Sequence, residues 1–158
     1  MSIEIARKYL EKYGMEDRIL EFEESSATVE LAAEAAGVIP ARICKSISFK
    51  TEEGAVMICT AGDTRIDNRK FKDFFHTKAK MLTPDLVLEY TNHEIGGVCP
   101  FGITNPHIKV YTDISIKRFS SVFPACGNGN SAVEMTPDEL FEISDSIEWI
   151  DVCKDTQE

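Results

Sequence analysis

The sequence predicts a single mixed α/β domain. Apolar residues recur every three or four positions in some segments and every second position in others, a mixture that predicts both helices and strands. The order of these segments is not a regular strand-helix-strand repeat, which favours a mixed, curved β-sheet with flanking helices over a doubly wound sheet. The 158 residues can bury roughly two-thirds of the unfolded surface in one core, and no composition shift marks a linker. One domain over residues 1–158 is therefore expected.

An amphipathic helix is predicted at the N-terminus, where Ile3, Ala6, Leu10 and Tyr13 recur at helical spacing before Gly14. This pattern differs from the charged-then-apolar order of a signal peptide, and no apolar run approaches the roughly 20 residues that span a bilayer. The protein is therefore expected in the cytoplasm, with no membrane partner.

A short strand and a capped helix are predicted next. The strand covers residues 19–22, and Thr28 is a suitable N-cap for a helix over Val29–Ala36. Gly37 is suited to end that helix in the left-handed conformation, and Pro40 can open another short helical turn.

A β-hairpin is predicted over residues 43–49 and 55–60, which flank a turn-like stretch at 51–54. Alternation along the first strand puts Lys45 on the same face as three apolar side chains, those of Ile43, Ile47 and Phe49.

The remaining elements follow from shorter signals. Helices are predicted over residues 67–75 and 83–90, strands over 108–111, 119–123, 131–135 and 147–152, and a turn over 127–130. A last helix should start after Thr136, because threonine caps, Pro137 fits the first helical position and Glu139 completes a capping box.

The net charge of −10, from 17 basic and 27 acidic residues, disfavours sequence-blind binding to a polyphosphate backbone, so any nucleic-acid contact must be local. The basic residues cluster in one stretch, which contains Arg65, Arg69, Lys70, Lys72, Lys78 and Lys80. Either a solvated helix face or a modest nucleic-acid patch would account for this cluster.

The cysteines and histidines show no pattern typical of a disulfide framework or a metal site. Five cysteines, at 44, 59, 99, 126 and 153, are odd in number and never closely paired. The histidines at 76, 93 and 107 have no HxxxH or HExxH spacing, so no metal and no other cofactor are expected. Walker, Rossmann and nucleophile-elbow motifs are also absent from the sequence, which argues against common NTPases, dehydrogenases and serine hydrolases.

Lys45 is the first candidate functional residue. A lysine on the apolar face of a strand is costly to bury unless its amine reaches water or a partner. Either the aliphatic part of the Lys45 side chain packs on the strand and its ammonium group reaches solvent, or the amine lies in a pocket where it can bind a carbonyl, phosphate or ribose oxygen.

The second candidate is the loop Gly96-Gly97-Val98-Cys99-Pro100. Two glycines before a proline can direct amide N–H groups at an oxyanion or a bound water, although such a loop can equally be a tight structural turn. Cys99 is a candidate nucleophile, but its local sequence shows no paired histidine.

Several segments in one order resemble the YbaK/EbsC family of aminoacyl-tRNA deacylases, which includes the editing domain of prolyl-tRNA synthetase. The resemblance covers about residues 20–152. It rests on the strand Ile43-Cys44-Lys45-Ser46, on residues 61–70, on the loop segment 91–102, and on Val110-Tyr111-Thr112-Asp113 with Ala125-Cys126-Gly127.

The resemblance implies the family's mixed α/β fold and hydrolysis, in trans, of the ester that joins a wrong amino acid to tRNA. The best-known substrate is tRNA(Pro) carrying alanine or cysteine, so the implied partners are the acceptor end of mischarged tRNA and prolyl-tRNA synthetase. Lys45 matches the family's essential lysine, and Gly96 with Pro100 matches its GxxxP loop. The catalytic group implied is therefore Lys45 with Gly96, Gly97, Val98, Cys99 and Pro100. The implied substrate-binding residues are Phe22, Ser46, Phe101 and Gly127.

The sequence departs from the family pattern at two positions. Phe22 stands where a tyrosine hydroxyl is common, and Ala125 stands where a serine is common. A non-catalytic tRNA- or synthetase-binding module of the same fold therefore stays open as an alternative, as does a hydrolase of small non-tRNA esters.

Overall fold

The computed structural model describes residues 2–155, built around a mixed five-stranded sheet. The strands, in chain order, are β1 (Ile19–Glu21), β2 (Ile43–Thr51), β3 (Gly54–Ala61), β4 (Ile108–Asp113), β5 (Phe123–Pro124), β6 (Ser131–Val133) and β7 (Trp149–Ile150). The main sheet has the order β5-β2-β3-β4-β7. Only the β2–β3 hairpin in it is antiparallel, whereas β5, β4 and β7 pair in parallel. β1 and β6 form a separate antiparallel pair.

Five α-helices cover the two faces of the main sheet. They are α1 (Ser2–Glu11), α2 (Val29–Ala36), α3 (Asn68–Phe75), α4 (Pro84–Thr91) and α5 (Pro137–Ile143), with short 3-10 helices at Glu16–Arg18, Pro40–Arg42 and Ile114–Arg118. Apolar residues of α1, α4 and α5 pack in one cluster with the side chains of Met57, Cys59 and Val110. Because side chains alternate along strands, α2 and α3 pack on the opposite face.

The face covered by α2 and α3 carries two separate apolar clusters. The α2 cluster contains Ala32, Ala33, Ile43, Phe123 and Ala132. The α3 cluster contains Phe49, Val56, Ile58, Phe71, Ile150 and Val152. Lys45 lies on this face of β2, between Ile43 of the first cluster and Ile47, which packs against the second. The predicted face of Lys45 is thus confirmed, and the lysine lies between the α2 cluster and the α3 cluster.

Most of the local predictions are confirmed. The Thr28 hydroxyl accepts from the Leu31 amide, and Gly37 ends α2 with a φ of 70°. The capping box of Thr136 and Glu139 is present at the start of α5. The first helix is shorter than predicted, since α1 ends at Glu11.

Two predicted strands are largely wrong. Of the predicted strand 119–123, only Phe123 pairs in the main sheet, where it forms β5 together with Pro124. Only Trp149–Ile150 of the predicted strand 147–152 does so. Two contacts account for these differences. The backbones of Val122 and Met135 exchange hydrogen bonds outside the main sheet, and the Val152 amide donates to the Asp113 carboxylate rather than to a neighbouring strand. Within the described residues, no helix has both the length and the apolar character needed to cross a membrane.

Candidate functional site

A cavity of about 300 Å³ opens beside Lys45. Four segments supply its walls: residues 26–32 at the start of α2, the first residues of β2, the loop at 95–98, and the β5–β6 region. The side chains around it are mostly small and apolar, among them Ala32, Val98, Ala125 and Ala132. A largely apolar pocket with a few polar groups is the usual form of a small-ligand site.

Lys45 provides the cationic group of this cavity. Its side chain is half-buried, and Nζ donates a hydrogen bond to the carbonyl oxygen of Thr64. Thr64 is itself held in place, because its hydroxyl and its amide both donate to the carbonyl of Ala61 at 2.8 and 3.2 Å. Burial lowers the pKa of Lys45 below its usual value, and the nearby Arg65 cation acts in the same direction.

The lowered pKa of Lys45 predicts a pH dependence of stability. Between the folded pKa and the ordinary value of 10.5, the unfolded chain binds more protons at this residue than the folded chain does. The contribution of Lys45 to the free energy of unfolding therefore rises with pH across that window. We expect wild type to gain stability relative to Lys45→Met when urea denaturation is repeated from about pH 8 to about pH 10. A difference that stays constant or shrinks would contradict this expectation.

The glycine loop is clamped against the turn that follows β5. The Gly127 amide donates to the Gly97 carbonyl at 2.9 Å, and the Gly97 amide donates to the Glu94 carbonyl at 3.1 Å. A Cβ added at Gly97 would overlap the backbone of Asn128 and Gly127, so only glycine allows this close approach. The same turn also holds the strand before α2, since Asn130 and the Phe22 backbone exchange hydrogen bonds.

Three amides of the loop are unpaired. Within residues 2–155, the backbone N–H groups of Gly96, Val98 and Cys99 donate no hydrogen bond to another part of the chain. Gly96 and Val98 line the cavity. Unpaired amides in a rigid loop are available to a ligand oxygen, as in anion-binding nests.

Cys99 has a histidine neighbour that the sequence pattern did not reveal. His93 Nε2 lies 3.5 Å from Cys99 Sγ, so the expectation that this cysteine lacks a paired histidine is wrong. The same nitrogen lies 2.6 Å from the carbonyl oxygen of Phe101, which only accepts, and Nε2 therefore carries the proton and donates. Burial raises the pKa of Cys99 well above its usual range and lowers that of His93. This pair is consequently a neutral thiol beside a neutral imidazole.

The structure divides the predicted site residues into three groups. Lys45, Ser46, Gly96 and Val98 line the cavity. Phe22 packs against the α2 cluster behind the cavity wall, and Gly127 holds the loop through Gly97. The side chains of Cys99 and Phe101 lie in the core beneath the loop, and Gly97 and Pro100 are buried with them.

The Ser46 hydroxyl lies 3.8 Å from Cys59 Sγ, on the opposite face of β2 from the Lys45 side chain.

Most of the wall residues were not identified from the sequence. They include Ala27, Val29, Ala32, Ile43, Phe123 and Ser131. Ser131 stands out because its hydroxyl is buried and has no hydrogen-bond partner within the described residues. No motif marks these residues, although the turn predicted over 127–130 directly precedes β6.

Comparison with known proteins identifies relatives over most of the chain. The family model "Aminoacyl-tRNA editing domain" matches residues 23–143. YwhH of Bacillus subtilis (strain 168), an uncharacterized protein, is 54% identical over 156 residues, which cover 98% of this chain and 99% of YwhH. The proline–tRNA ligase of Thermosipho melanesiensis is 35% identical over 91 residues, which are 57% of this chain and 16% of the ligase.

Solved structures share the fold over almost the whole chain. A protein described as a candidate trans-editing enzyme for prolyl tRNA synthetase superposes with a TM-score of 0.88, at 28% identity, over 98% of both chains. The hypothetical protein APE2540 superposes with a TM-score of 0.83 at 24% identity, over 95% of this chain and 99% of the other.

Proposed function

This chain belongs to the family of aminoacyl-tRNA editing domains, and we propose that it is a trans-acting deacylase that hydrolyses the ester of mischarged tRNA. We propose tRNA(Pro) carrying alanine or cysteine as the substrate. The observation that supports this most directly is the cavity itself, which is mostly apolar and is lined by Lys45 and by Gly96 and Val98, two residues with unpaired amides. Such an enzyme would act in the cytoplasm, where aminoacyl-tRNA is made and used.

The reaction needs little covalent help from the protein. A water oxygen attacks the ester carbonyl carbon, and the bond from that carbon to the ribose oxygen breaks. One proton of the water ends on the ribose oxygen, the other is released to solvent, and the amino acid leaves as its carboxylate. Because an aminoacyl ester is already activated, orientation and stabilisation of the developing oxyanion are the main requirements.

The loop amides are suited to that stabilisation. In the proposed complex, the N–H groups of Gly96 and Val98 donate to the carbonyl oxygen as negative charge develops on it. The hydrogen bond to Gly127 holds the loop before substrate arrives, so little reorganisation is needed. Each such donor is worth roughly 100- to 1,000-fold in rate in well-studied hydrolases.

Lys45 is suited to bind the substrate's terminal ribose-phosphate or carbonyl region. Its amine already lies at the edge of the cavity, held by the Thr64 carbonyl. A shift from this carbonyl to a substrate oxygen would exchange one hydrogen bond for another, and the cation would then interact with a developing negative charge.

Side-chain size around the cavity favours a small aminoacyl group. Ala32, Ala125 and Ala132 leave room for the methyl group of alanine or the –CH2SH group of cysteine but offer it only apolar contacts. For a cysteinyl ester, the substrate's own thiol is an alternative nucleophile. We assign no covalent role to Cys99, because its thiol is buried and its histidine neighbour cannot accept the thiol proton at Nε2.

Release of amino acid from a panel of mischarged tRNAs tests the proposal. We expect wild type to hydrolyse Ala-tRNA(Pro), Cys-tRNA(Pro) or both, and to spare correctly charged Pro-tRNA(Pro). No turnover on the panel while tRNA still binds would overturn the deacylase and favour the non-catalytic module. Equal turnover of a free aminoacyl ester and the same ester on tRNA would favour the small-ester hydrolase.

A further inference from the structure

Exposed cations of this protein differ in whether a carboxylate neutralises them. Arg7, Arg18, Arg42, Lys109 and Arg118 each form an ion pair with a carboxylate from a distant part of the chain. Lys12 and Lys117 instead lie over aromatic rings. These side chains carry charge that is already compensated locally.

The uncompensated cations are concentrated in one stretch. Arg65, Arg69, Lys72, Lys78 and Lys80 are exposed, and within residues 2–155 their side chains form neither ion pairs nor ring contacts. We call these five residues the basic surface. Residues 65–80 contain six cations and two carboxylates in a chain of net charge −10, and the sixth cation, Lys70, is ion-paired with Asp151 and Asp155. One of those carboxylates, that of Asp67, is committed to capping α3.

Backbone contacts place the basic surface along β2. At one end, the Arg65 carbonyl accepts from the amide of Lys154, another exposed lysine. At the other end, the Lys80 carbonyl accepts from the amide of Lys50 on β2. Phe71 anchors the intervening helix α3 to the sheet. The positive charge therefore runs beside β2 from Lys45 to Lys50, a distance of about 17 Å at the usual rise of a strand.

Lys45 joins the basic surface to the cavity. Its amine binds the Thr64 carbonyl, and Arg65 is the next residue. The cavity lies on the α2 side of Lys45, and the basic surface lies on the α3 side. A ligand with its reactive end in the cavity can therefore extend over Lys45 and Arg65 onto α3.

We propose that the basic surface binds the phosphate backbone of the tRNA acceptor stem. This inference rests on the proposed function, which puts the aminoacyl end of tRNA in the cavity. A-form RNA is recognised largely through its shape, phosphates and 2′-hydroxyls, for which flexible lysine and arginine side chains are suited. A concentration of unpaired cations on one surface favours one orientation of bound RNA, because the chain as a whole has a net charge of −10.

Salt dependence of binding measures this contact directly. The probe is an unacylated tRNA(Pro) transcript, titrated with wild type and with Arg69→Gln/Lys72→Gln at several KCl concentrations. Both side chains are exposed and unpaired, so the double variant should fold normally, which its thermal unfolding will check. The matched control is Lys8→Gln/Lys12→Gln, which loses the same charge in the last turn of α1 and directly after it; α1 packs on the opposite face of the sheet.

We expect the slope of log K against log salt to become shallower by about 1.8 in the α3 variant, since each phosphate contact contributes about 0.9. The α1 variant should keep the wild-type slope. Equal slopes for wild type and the α3 variant, or an equal change in the α1 variant, would overturn the assignment, as would a failure of wild type to bind the transcript.

This binding assay separates the two proposals. If the salt dependence is weaker in the α3 variant but wild type hydrolyses no mischarged tRNA, the RNA-binding surface is supported and the deacylase activity is contradicted. If wild type hydrolyses mischarged tRNA and the α3 variant binds with the wild-type slope, the deacylase activity is supported and the RNA-binding surface is contradicted. When both hold, the α3 variant should raise KM for aminoacyl-tRNA and leave kcat near the wild-type value.

Discussion

Lys45→Ala is expected to lower hydrolysis of mischarged tRNA by about 100-fold or more, the usual effect of removing one charged donor from a preorganised site. The substitution removes the cation at the junction of the cavity and the basic surface. It should not unfold the protein, because a half-buried amine with a lowered pKa is costly to keep charged. Single-turnover release of amino acid at saturating enzyme measures the effect on the chemical step.

Two controls make the Lys45→Ala result specific. Lys109→Ala removes a lysine from β4 of the same sheet, where its amine pairs with Glu53 far from the cavity, and should leave the rate unchanged. Lys45→Arg keeps the charge but changes its shape and reach, so we expect partial activity. A folded Lys45→Ala protein with the wild-type rate would remove this lysine from the mechanism.

Gly97→Ala is expected to reduce hydrolysis by about 10- to 100-fold, since misplacing a catalytic group by about 1 Å has effects of that size. The added methyl group would overlap the backbone of Asn128 and Gly127, so the loop or the turn must move. Either movement weakens the hydrogen bond from the Gly127 amide to the Gly97 carbonyl and displaces the amides of Gly96 and Val98. Overpacking of this kind also costs about 1–3 kcal/mol of folding stability, which urea denaturation will measure.

Gly129→Ala is the matched control for the loop. Gly129 lies in the same turn, but a Cβ there would meet only the Ala27 Cβ at 3.7 Å, an ordinary van der Waals contact. We expect the control to keep near-wild-type stability and rate. If Gly97→Ala had the same stability and hydrolysis rate as Gly129→Ala, the contact between the loop and the turn would not position the amides of Gly96 and Val98.

Local structure was predictable wherever a few neighbouring residues decide it. The caps at Thr28 and Thr136 are confirmed, because each cap depends on hydrogen bonds that reach only three residues along the chain. The turn over 127–130 is confirmed for the same reason, since the Asn130 amide donates to the Asn128 side chain two residues away. The strand predicted over 119–123 was largely wrong because long-range pairing determines this segment: Val122 pairs with Met135, and only Phe123 pairs with Ile43 in the main sheet.

The family resemblance was also readable from the sequence, and the editing-domain match confirms it. Spacing of short motifs was sufficient, because the order of Lys45, the glycine loop and the later strand segments is itself specific. The identity of the catalytic residues and of the aminoacyl group stays a prediction until the variants are measured.

The sequence alone determined the helix caps, the hairpin, the face of Lys45 and the family. Tertiary structure alone decided the cavity, the contact between His93 and Cys99, and the continuity of Lys45 with the basic surface. The physical reason is the distance along the chain over which each interaction acts, since side-chain alternation, helix capping and turn formation depend on only a few neighbouring residues. The cavity walls, by contrast, come from segments that are up to about 100 positions apart and meet only when the sheet forms.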